Sequence, residues 1–232
     1  MDEVDSTNTR LLEMAAQGCK APFVLSARRQ TAGRGRQGRA FFSQPGGLYM
    51  SLLLRPACPS EQFRTLTPAA AVAAAQAVEE LTGIRVGIKW VNDLYYSGRK
   101  VCGILAEAKV GAVAVGIGIN LWPPEGGWPP ELADKAGALL AAPDEALRLA
   151  LIPRISEGIL SLWRDGAPAP DLLARYRARS ILDGCAVSYS QDGQAHRGRV
   201  AGISEDFGLT VDEDGGRRVL TSGEVHIIGF HK

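Results

Sequence analysis

The chain has 232 residues, 46% of them hydrophobic, which suits one substantial domain with or without a small appendage. The formal net charge of +1 argues against a general polyanion-binding protein, since such proteins carry a large basic surplus. The four cysteines form no CxxC pair and only three histidines are present, so neither a disulfide framework nor a zinc site is predicted. The acidic N-terminus is unlike a signal peptide, and no apolar run approaches the ~18 residues of a membrane span. We therefore expect a cytoplasmic protein with reduced thiols and no membrane partner.

Four stretches carry the start and stop signals of helices. Asp5 or Ser6 can cap the first helix, and Pro68 favours the first turn of an Ala-rich second helix that ends at Gly83. The third pattern contains Pro153, which predicts a kink. The predicted helices span about 6–18, 67–83, 144–163 and 171–180.

Strand patterns lie between these helices. The segment 112–119 alternates strictly, with valine and isoleucine on one face and only alanine and glycine on the other. The nearly bare face lets a ligand or a packed neighbour approach the backbone closely. The remaining patterns are FVLSA, GLYMSLLLR, VGIKW, LYYS and KVCGILAEAK. Together they predict a mostly antiparallel sheet in an α+β fold.

From Gly184 onward the chain changes to short alternating runs divided by Gly and Asp. This texture predicts a small all-β unit near the lower size limit for independent stability, so we expect it to lean on the larger domain. We place the two domains at 1–182 and 183–232.

The segment 28–39 reads RRQTAGRGRQGR, with five arginines, three glycines and no acid. No Asp or Glu occurs anywhere between Met14 and Ser60. Charge of one sign on this glycine-rich segment, the arginine loop (28–39), predicts a binding site for an anion.

Three interpretations of the arginine loop fit the sequence poorly: a nucleic-acid site, a phosphate-binding P-loop and a solvated hairpin tip. A nucleic-acid site would need aromatic side chains for base stacking, and only Phe41 and Phe42 follow the loop. A phosphate-binding P-loop would need a Gly-Lys-Ser/Thr ending, which is absent from AGRGRQGR. A solvated hairpin tip would gain nothing from three glycines, which add disorder unless the backbone bends sharply or approaches a ligand.

A second basic segment reads KWVNDLYYSGRKVCGILAE, in which Lys89 and Lys100 bracket a turn containing Asn92 and Asp93. A single lysine is more often a solvated surface residue. The occurrence of this segment together with DSTN at 5–8, the arginine loop and GIGIN at 116–120 indicates that these segments form one common site.

This ordered set of motifs resembles the biotin–protein ligases over nearly the whole chain. The matching pieces are DSTN (5–8), QTAGRGRQGR (30–39), KWVNDL (89–94), RKVCGIL (99–105) and GIGINL (116–121). The resemblance implies a mixed or antiparallel catalytic sheet of the biotin/lipoate ligase type, with a small C-terminal SH3-like β-barrel. Two positions depart from the family pattern: Val91 stands where the family usually has Pro, and Phe41 where an aromatic residue, often Trp, lies near the nucleotide.

The resemblance also implies a reaction in two steps. Biotin and ATP give biotinyl-5'-AMP, and the biotinyl group then passes to a lysine of a biotin carboxyl carrier protein. By the same resemblance, Mg²⁺ would enter with ATP and would have no direct protein site. Lys100 and Arg36 would be the catalytic residues. The residues assigned to biotin are Ser6, Thr7, Asn8, Gln30, Gly33, Arg34, Gly35, Arg36, Lys100, Gly103 and Gly116. Those assigned to ATP and the adenylate are Arg36, Arg39, Phe41, Lys89, Trp90, Asn92 and Asn120.

Two other functions stay open at this point. A lipoate–protein ligase shares the fold and the adenylate chemistry, but its loop is typically Arg-Arg followed by a run of glycines. A non-catalytic regulator could bind biotin or RNA through the same loop. Lys89, Lys100 and Asn92 favour catalysis, because binding biotin alone would not need a nucleotide site.

The resemblance bears on partners as well. Some family members carry an N-terminal winged helix and repress transcription, whereas here the Ser-Thr-Asn motif begins at residue 6, so we expect a monofunctional ligase without a DNA partner. The family frequently forms homodimers through its sheet, and the segment 112–119 is taken as an exposed edge that could pair between subunits.

Overall fold

The computed structural model describes residues 1–109, 111–191 and 193–229. Its helices are α1 Thr7–Ala16, α2 Leu66–Thr82, α3 Glu145–Leu162 and α4 Leu172–Arg177. Its strands are β1 Glu3–Val4, β2 Phe23–Ala27, β3 Arg29–Gln30, β4 Gly47–Leu54, β5 Gly87–Lys89, β6 Asp93–Tyr96, β7 Arg99–Lys109, β8 Ala112–Asn120, β9 Trp163–Arg164, β10 Ala167–Pro168, β11 Ala186–Gln191, β12 Gln194–Ile203, β13 Leu209–Glu213, β14 Gly216–Leu220 and β15 Val225–Gly229. Short 3-10 turns occur at Arg36–Gly38 and Ser60–Thr65.

The main sheet has six strands in the order β2-β4-β8-β7-β6-β5, and every neighbouring pair is antiparallel. In β8 the larger face, including Val115 and Ile117, joins the main core with α2, while Ala112 and Ala114 pack on Leu11 of α1. The predicted antiparallel α+β architecture and the two unequal faces of this strand are confirmed.

The prediction that 112–119 forms an exposed sheet edge is wrong. Strand β8 is paired on both sides, with β4 and with β7, and the edges of the six-stranded sheet are β2 and β5. Its backbone hydrogen-bonding groups are used within the sheet, so they cannot pair with a second subunit. The edge argument for a homodimer therefore fails.

The helices follow their end signals with small shifts. Ser6 caps α1, and its Oγ accepts a hydrogen bond from Thr9 N at 3.4 Å. Helix α2 begins at Leu66 because a 3-10 turn runs directly into it, and it ends at Gly83, whose φ of 72° is a left-handed conformation that favours glycine. Helix α3 runs continuously through Pro153. No described helix is both long enough and apolar enough to cross a bilayer.

The C-terminal strands form a separate five-stranded antiparallel sheet in the order β14-β13-β12-β11-β15, for which no closing pair between β14 and β15 is found among the described residues. This sheet shares a hydrophobic core with the main domain. Trp90 Nε1 donates to Phe207 O at 2.8 Å, and Phe207 packs edge-on against Tyr176. The two units are thus joined by buried contacts, and the boundary at 182/183 stays a prediction.

Candidate active site

An open cleft of about 980 Å³, including its mouth, lies over β7 and β8, the central strands of the main sheet. Segments that are distant in sequence meet there: the start of α1, the arginine loop, the turn before β6, strands β7 and β8, and the segment before β15. The predicted site residues that line the cleft are Ser6, Thr7, Asn8, Gln30, Arg34, Gly35, Arg36, Arg39, Phe41, Lys89, Trp90, Asn92, Lys100, Gly103 and Gly116.

Glycines on β7 and β8 form the floor of the cleft. A Cβ at Gly116 would lie 2.5 Å from Asn8 Oδ1, and one at Gly118 would lie 2.5 Å from Phe41 Cε1. A Cβ at Gly103 would meet the Phe41 ring at 2.9 Å and Lys100 Nζ at 3.3 Å. Any side chain at these positions would displace a residue of the site, which explains the bare face predicted for β8.

One side of the cleft holds a network of neutral polar groups. Gln30 Oε1 accepts hydrogen bonds from Thr7 N at 2.8 Å and Thr7 Oγ1 at 3.1 Å. Ser51 Oγ donates to Asn8 Oδ1 at 2.6 Å and lies 2.8 Å from Thr7 Oγ1. Ser6, Thr7 and Asn8 are each less than 5% exposed. Because buried polar groups are costly unless they are paired, this network fixes the orientation of each side chain.

The network continues to the base of the arginine loop. Gln30 Nε2 donates to Ser43 Oγ at 3.0 Å, and Ser43 Oγ donates to Phe41 O at 2.8 Å. Gly33 lies at this base, where its carbonyl accepts from Phe41 N at 2.9 Å and an added Cβ would collide with Phe41 O and Ser43 Oγ. Gly33 therefore closes the neck of the loop and does not line the cleft.

Three of the five arginines in the loop contact three different parts of the chain. Arg34 lies 2.9 Å from Glu107 Oε1 of β7, and Arg36 donates to Asn92 Oδ1 at 3.2 Å. Arg39 forms an ion pair with Glu224, just before β15, which lowers the pKa of Glu224. The loop turns at Gln37 and Gly38, both in the left-handed region, so its cations surround the mouth of the cleft.

Two lysines add positive charge inside the cleft. Lys100 Nζ is 2.7 Å from Asp93 Oδ1 and 5.9 Å from the centroid of the Phe41 ring. Lys89 Nζ lies 5.5 Å from the centroid of the Tyr95 ring. Burial lowers the pKa of Lys89, and the nearby carboxylate of Asp93 opposes that shift. Cations that are partly removed from water interact more strongly with an incoming anion.

The turn between the lysines is held by later segments of the chain and by β7. The Trp90 indole N–H is already donated to Phe207 O, so the ring remains for contact within the cleft. The Tyr176 hydroxyl donates to Val91 O at 3.2 Å, and Asn92 Nδ2 donates to Ile104 O at 2.9 Å. Val91, at the position where the family pattern has Pro, is thus tied by its carbonyl.

Asn120 does not line the cleft. Its side chain is 6% exposed, donates to Gly137 O at 3.0 Å, and lines a small neighbouring pocket with Tyr49 and Trp122. Its assignment to ATP stays a prediction, as do the individual roles of the other site residues.

Four residues of the site received no role from the sequence. The sequence places Asp93 only in the turn between the two lysines, and it carries no motif at Ser51, Glu107 or Glu224. The sole signal for Ser51 is a hydroxyl in the otherwise apolar run GLYMSLLL, and Glu107 is a lone acid near the end of a strand. Glu224 belongs to the C-terminal unit, which carries no sharp motif.

The comparisons with known proteins agree with this architecture. Residues 1–122 match the model of the "Biotin/lipoate A/B protein ligase family". The "Biotin--[acetyl-CoA-carboxylase] ligase" of Mycobacterium tuberculosis is 34% identical over 230 residues, covering 95% of this chain and 84% of that protein. The "Bifunctional ligase/repressor BirA" of Bacillus subtilis is 41% identical over 152 residues, which are 63% of this chain but only 47% of that protein.

A solved structure extends the likeness to the whole fold. The biotin protein ligase from Aquifex aeolicus in complex with biotin and ATP superimposes with a TM-score of 0.81 at 30% identity, covering 99% of this chain and 97% of that one. The fold is that of the biotin protein ligases. The chain belongs to the biotin/lipoate A/B protein ligase family.

Proposed function

We propose that this protein is an ATP-dependent ligase that forms biotinyl-5'-AMP and transfers biotin to a lysine of a biotin carboxyl carrier protein. The observation that carries the proposal is the division of one cleft into a neutral, buried polar side and a cationic side. Biotin has an uncharged ureido ring at one end and a carboxylate at the other, which matches this division.

The first step joins two anions. A biotin carboxylate oxygen attacks the α-phosphorus of ATP, an O–P bond forms, the α–β phosphoanhydride bond breaks, and pyrophosphate leaves. The encounter is electrostatically repulsive, so fixed cations must offset the charge that accumulates at the reacting atoms. We assign this role to Lys100 and Arg36, with Arg39 and Lys89 on the nucleotide side.

The second step consumes the intermediate. The lysine amine of the carrier attacks the acyl carbon, a C–N bond forms, the C–O bond to the phosphate breaks, AMP leaves, and the amine loses a proton. Because an acyl-adenylate is readily hydrolysed, we infer that the arginine loop covers it until the carrier docks. The contacts of the loop with β7, with the Asn92 turn and with the C-terminal unit support this inference.

Mg²⁺ would neutralise part of the phosphate charge when it enters with ATP. It is commonly held by one or two carboxylates together with substrate phosphates, and Asp93 and Glu224 both line the cleft. Within the described residues no group of three or more potential metal ligands occurs. Asp93 and Glu224 would be the carboxylates available to a metal that enters with the nucleotide.

We also propose small-molecule and protein partners and a cytoplasmic location. A net charge of +1 favours small-molecule and protein partners over DNA, which an electrophoretic mobility-shift assay would test. The cysteines of the described chain are free, which fits the reducing cytoplasm.

The test is biotin-dependent exchange of labelled pyrophosphate into ATP, with lipoate as the parallel substrate. We expect exchange with biotin and none with lipoate. Lys100→Ala should lower the rate by about 10²- to 10³-fold, the typical cost of removing one donor to transition-state charge. Lys20→Ala, an exposed lysine outside the cleft, is the matched control. Exchange with lipoate alone would assign the other branch of the family, and exchange with neither acid would overturn the enzymatic proposal.

A further inference from the structure

A single carboxylate connects the arginine loop to the buried polar network. Glu107 Oε1 lies 2.9 Å from Arg34 Nη2, while Glu107 Oε2 accepts a hydrogen bond from Asn8 Nδ2 at 2.9 Å. The Glu107 side chain is 22% exposed, whereas that of Arg34 is 56% exposed. The carboxylate is thus held by a buried amide on one side and holds an exposed cation on the other.

The position of Glu107 is set by the sheet. Leu105 and Glu107 are two residues apart on β7, so their side chains emerge on the same face of the sheet, which is also the face of the Gly103 position. Leu105 pairs with Gly116 and Glu107 with Ala114. Because both partners are small, Asn8 can lie flat over the sheet, donate to Leu105 O at 3.1 Å and reach the Glu107 carboxylate.

The charge pattern of the chain makes Glu107 a counter-charge that comes from outside the loop. The sequence from Met14 to Ser60 contains no acidic residue, so the loop has no counter-charge of its own. Arg34 obtains its counter-charge from Glu107. One oxygen of this carboxylate pairs with Arg34 and the other with Asn8. A change at Arg34 or at Asn8 therefore alters the electrostatics at the other residue.

We propose that Glu107 is a positioning residue that couples the occupied biotin site to closure of the arginine loop. The buried network fixes the Asn8 amide, the amide orients Glu107, and Glu107 holds Arg34 over the intermediate. Biotin held by Thr7, Asn8 and Gln30 therefore contacts the same chain of groups that positions the loop. This inference rests on the proposed function, since it assigns to Glu107 the retention of the adenylate that the enzyme makes.

Glu107→Gln separates the two tasks of the side chain. The amide oxygen can still accept from Asn8, but the charge that holds Arg34 is lost. We expect the variant to form biotinyl-5'-AMP, to release it to solvent about tenfold faster than the wild type, and to lose ligand-induced protection of Arg34 and Arg36 from trypsin. A tenfold change corresponds to about 1.4 kcal/mol.

The experiment measures the half-life of the preformed adenylate complex and the tryptic cleavage of the loop in wild type, Glu107→Gln, Arg34→Gln and the double variant. If the two residues act through one contact, the double variant should release the adenylate no faster than the worse single variant. The matched control is Glu125→Gln, an exposed glutamate outside the cleft, which should behave as the wild type. Thermal unfolding of each variant separates a local effect from a loss of fold, and Arg34→Gln tests the same contact should Glu107→Gln prove unstable.

The outcomes distinguish two failures. If the wild type forms no adenylate, the proposed function itself fails. If the wild type forms and retains the adenylate while Glu107→Gln retains it equally well, or if the two substitutions act additively, the proposal for Glu107 is overturned and the proposed function stands.

Discussion

Lys100 Nζ lies 2.7 Å from Asp93 Oδ1, and this ion pair joins β7 to the first residue of β6 beside the glycine floor of the cleft. Asp93 Oδ1 is shielded from solvent and has no aligned hydrogen bond among the described residues, so the lysine satisfies it by proximity of charge alone. In the proposed reaction Lys100 would contact the substrate carboxylate, and Asp93 would then limit how far the ammonium can move.

We expect Asp93→Asn to lower kcat for biotin-dependent pyrophosphate exchange about tenfold, or about 1.4 kcal/mol in the barrier, because the ammonium loses its positioning partner. The melting temperature should change little, since the substitution is nearly isosteric. Asp134→Asn, an exposed aspartate, is the control. An unchanged or higher kcat would mean that Asp93 opposes the substrate anions more than it orients the lysine.

The sequence identifies the parts of this site that follow from local chemistry. An acid-free loop of alternating Arg and Gly indicates an anion site, and Lys89, Asn92 and Lys100 mark a second segment with the same charge. The resemblance of the ordered motifs supplies the ligand classes. The antiparallel sheet and the bare face of β8 follow from period-two patterning.

The rest depends on which strands become neighbours, which the local pattern does not encode. The segment 112–119 has the same alternation at the centre of a sheet as at an edge, and the centre is where it lies. Glu107 matters because Asn8, nearly 100 residues away, lies over Gly116. Glu224 reaches the loop through packing of the C-terminal sheet, and Asn120 turns to a carbonyl that a later segment brings to it. None of these relationships has a signal at the residue itself.

Gly118→Ala should displace Phe41. The new Cβ would lie 2.5 Å from Phe41 Cε1, and this ring also packs edge-on against Tyr49. Overpacking of this kind costs about 1–3 kcal/mol, and because Phe41 is assigned to the nucleotide we expect a several-fold rise in KM for ATP. Gly215→Ala, where an added Cβ meets nothing within 4 Å, is the matched control. Kinetics equal to those of the wild type would remove Phe41 from the nucleotide site.

Ser51→Ala should weaken biotin binding selectively. Ser51 is fully buried, and its hydroxyl is the link between Thr7 and Asn8. Loss of the hydroxyl leaves the Asn8 carbonyl short of a donor, at a cost of about 1–3 kcal/mol for a buried group. We expect KM for biotin to rise and KM for ATP to stay constant, with Ser60→Ala as an exposed control. Equal rises in both constants would indicate a general loosening of the fold.

The Glu79–Arg179 ion pair should make the stability of the fold depend on pH. It connects α2 to the segment that follows α4, and Arg179 O in turn accepts from Ile88 N of β5. The hydrogen bond from Arg179 lowers the pKa of Glu79 from its ordinary value of 4.5, while burial opposes the shift. A carboxylate whose pKa is lower in the folded state stabilises the fold fully above its ordinary pKa. That stabilisation is lost as the pH falls through the lowered value.

Urea unfolding of wild type and Glu79→Gln from pH 7 to pH 3 measures this contribution. At pH 7 we expect the wild type to be more stable by about 1 kcal/mol, a modest figure because Glu79 is partly exposed to solvent. The difference should shrink on acidification, because protonated Glu79 and glutamine are then both neutral. Glu125→Gln, which removes an exposed carboxylate, should give no such convergence. A gap between wild type and Glu79→Gln that stays constant down to pH 3 would show that the contact stabilises the fold through packing and not through charge.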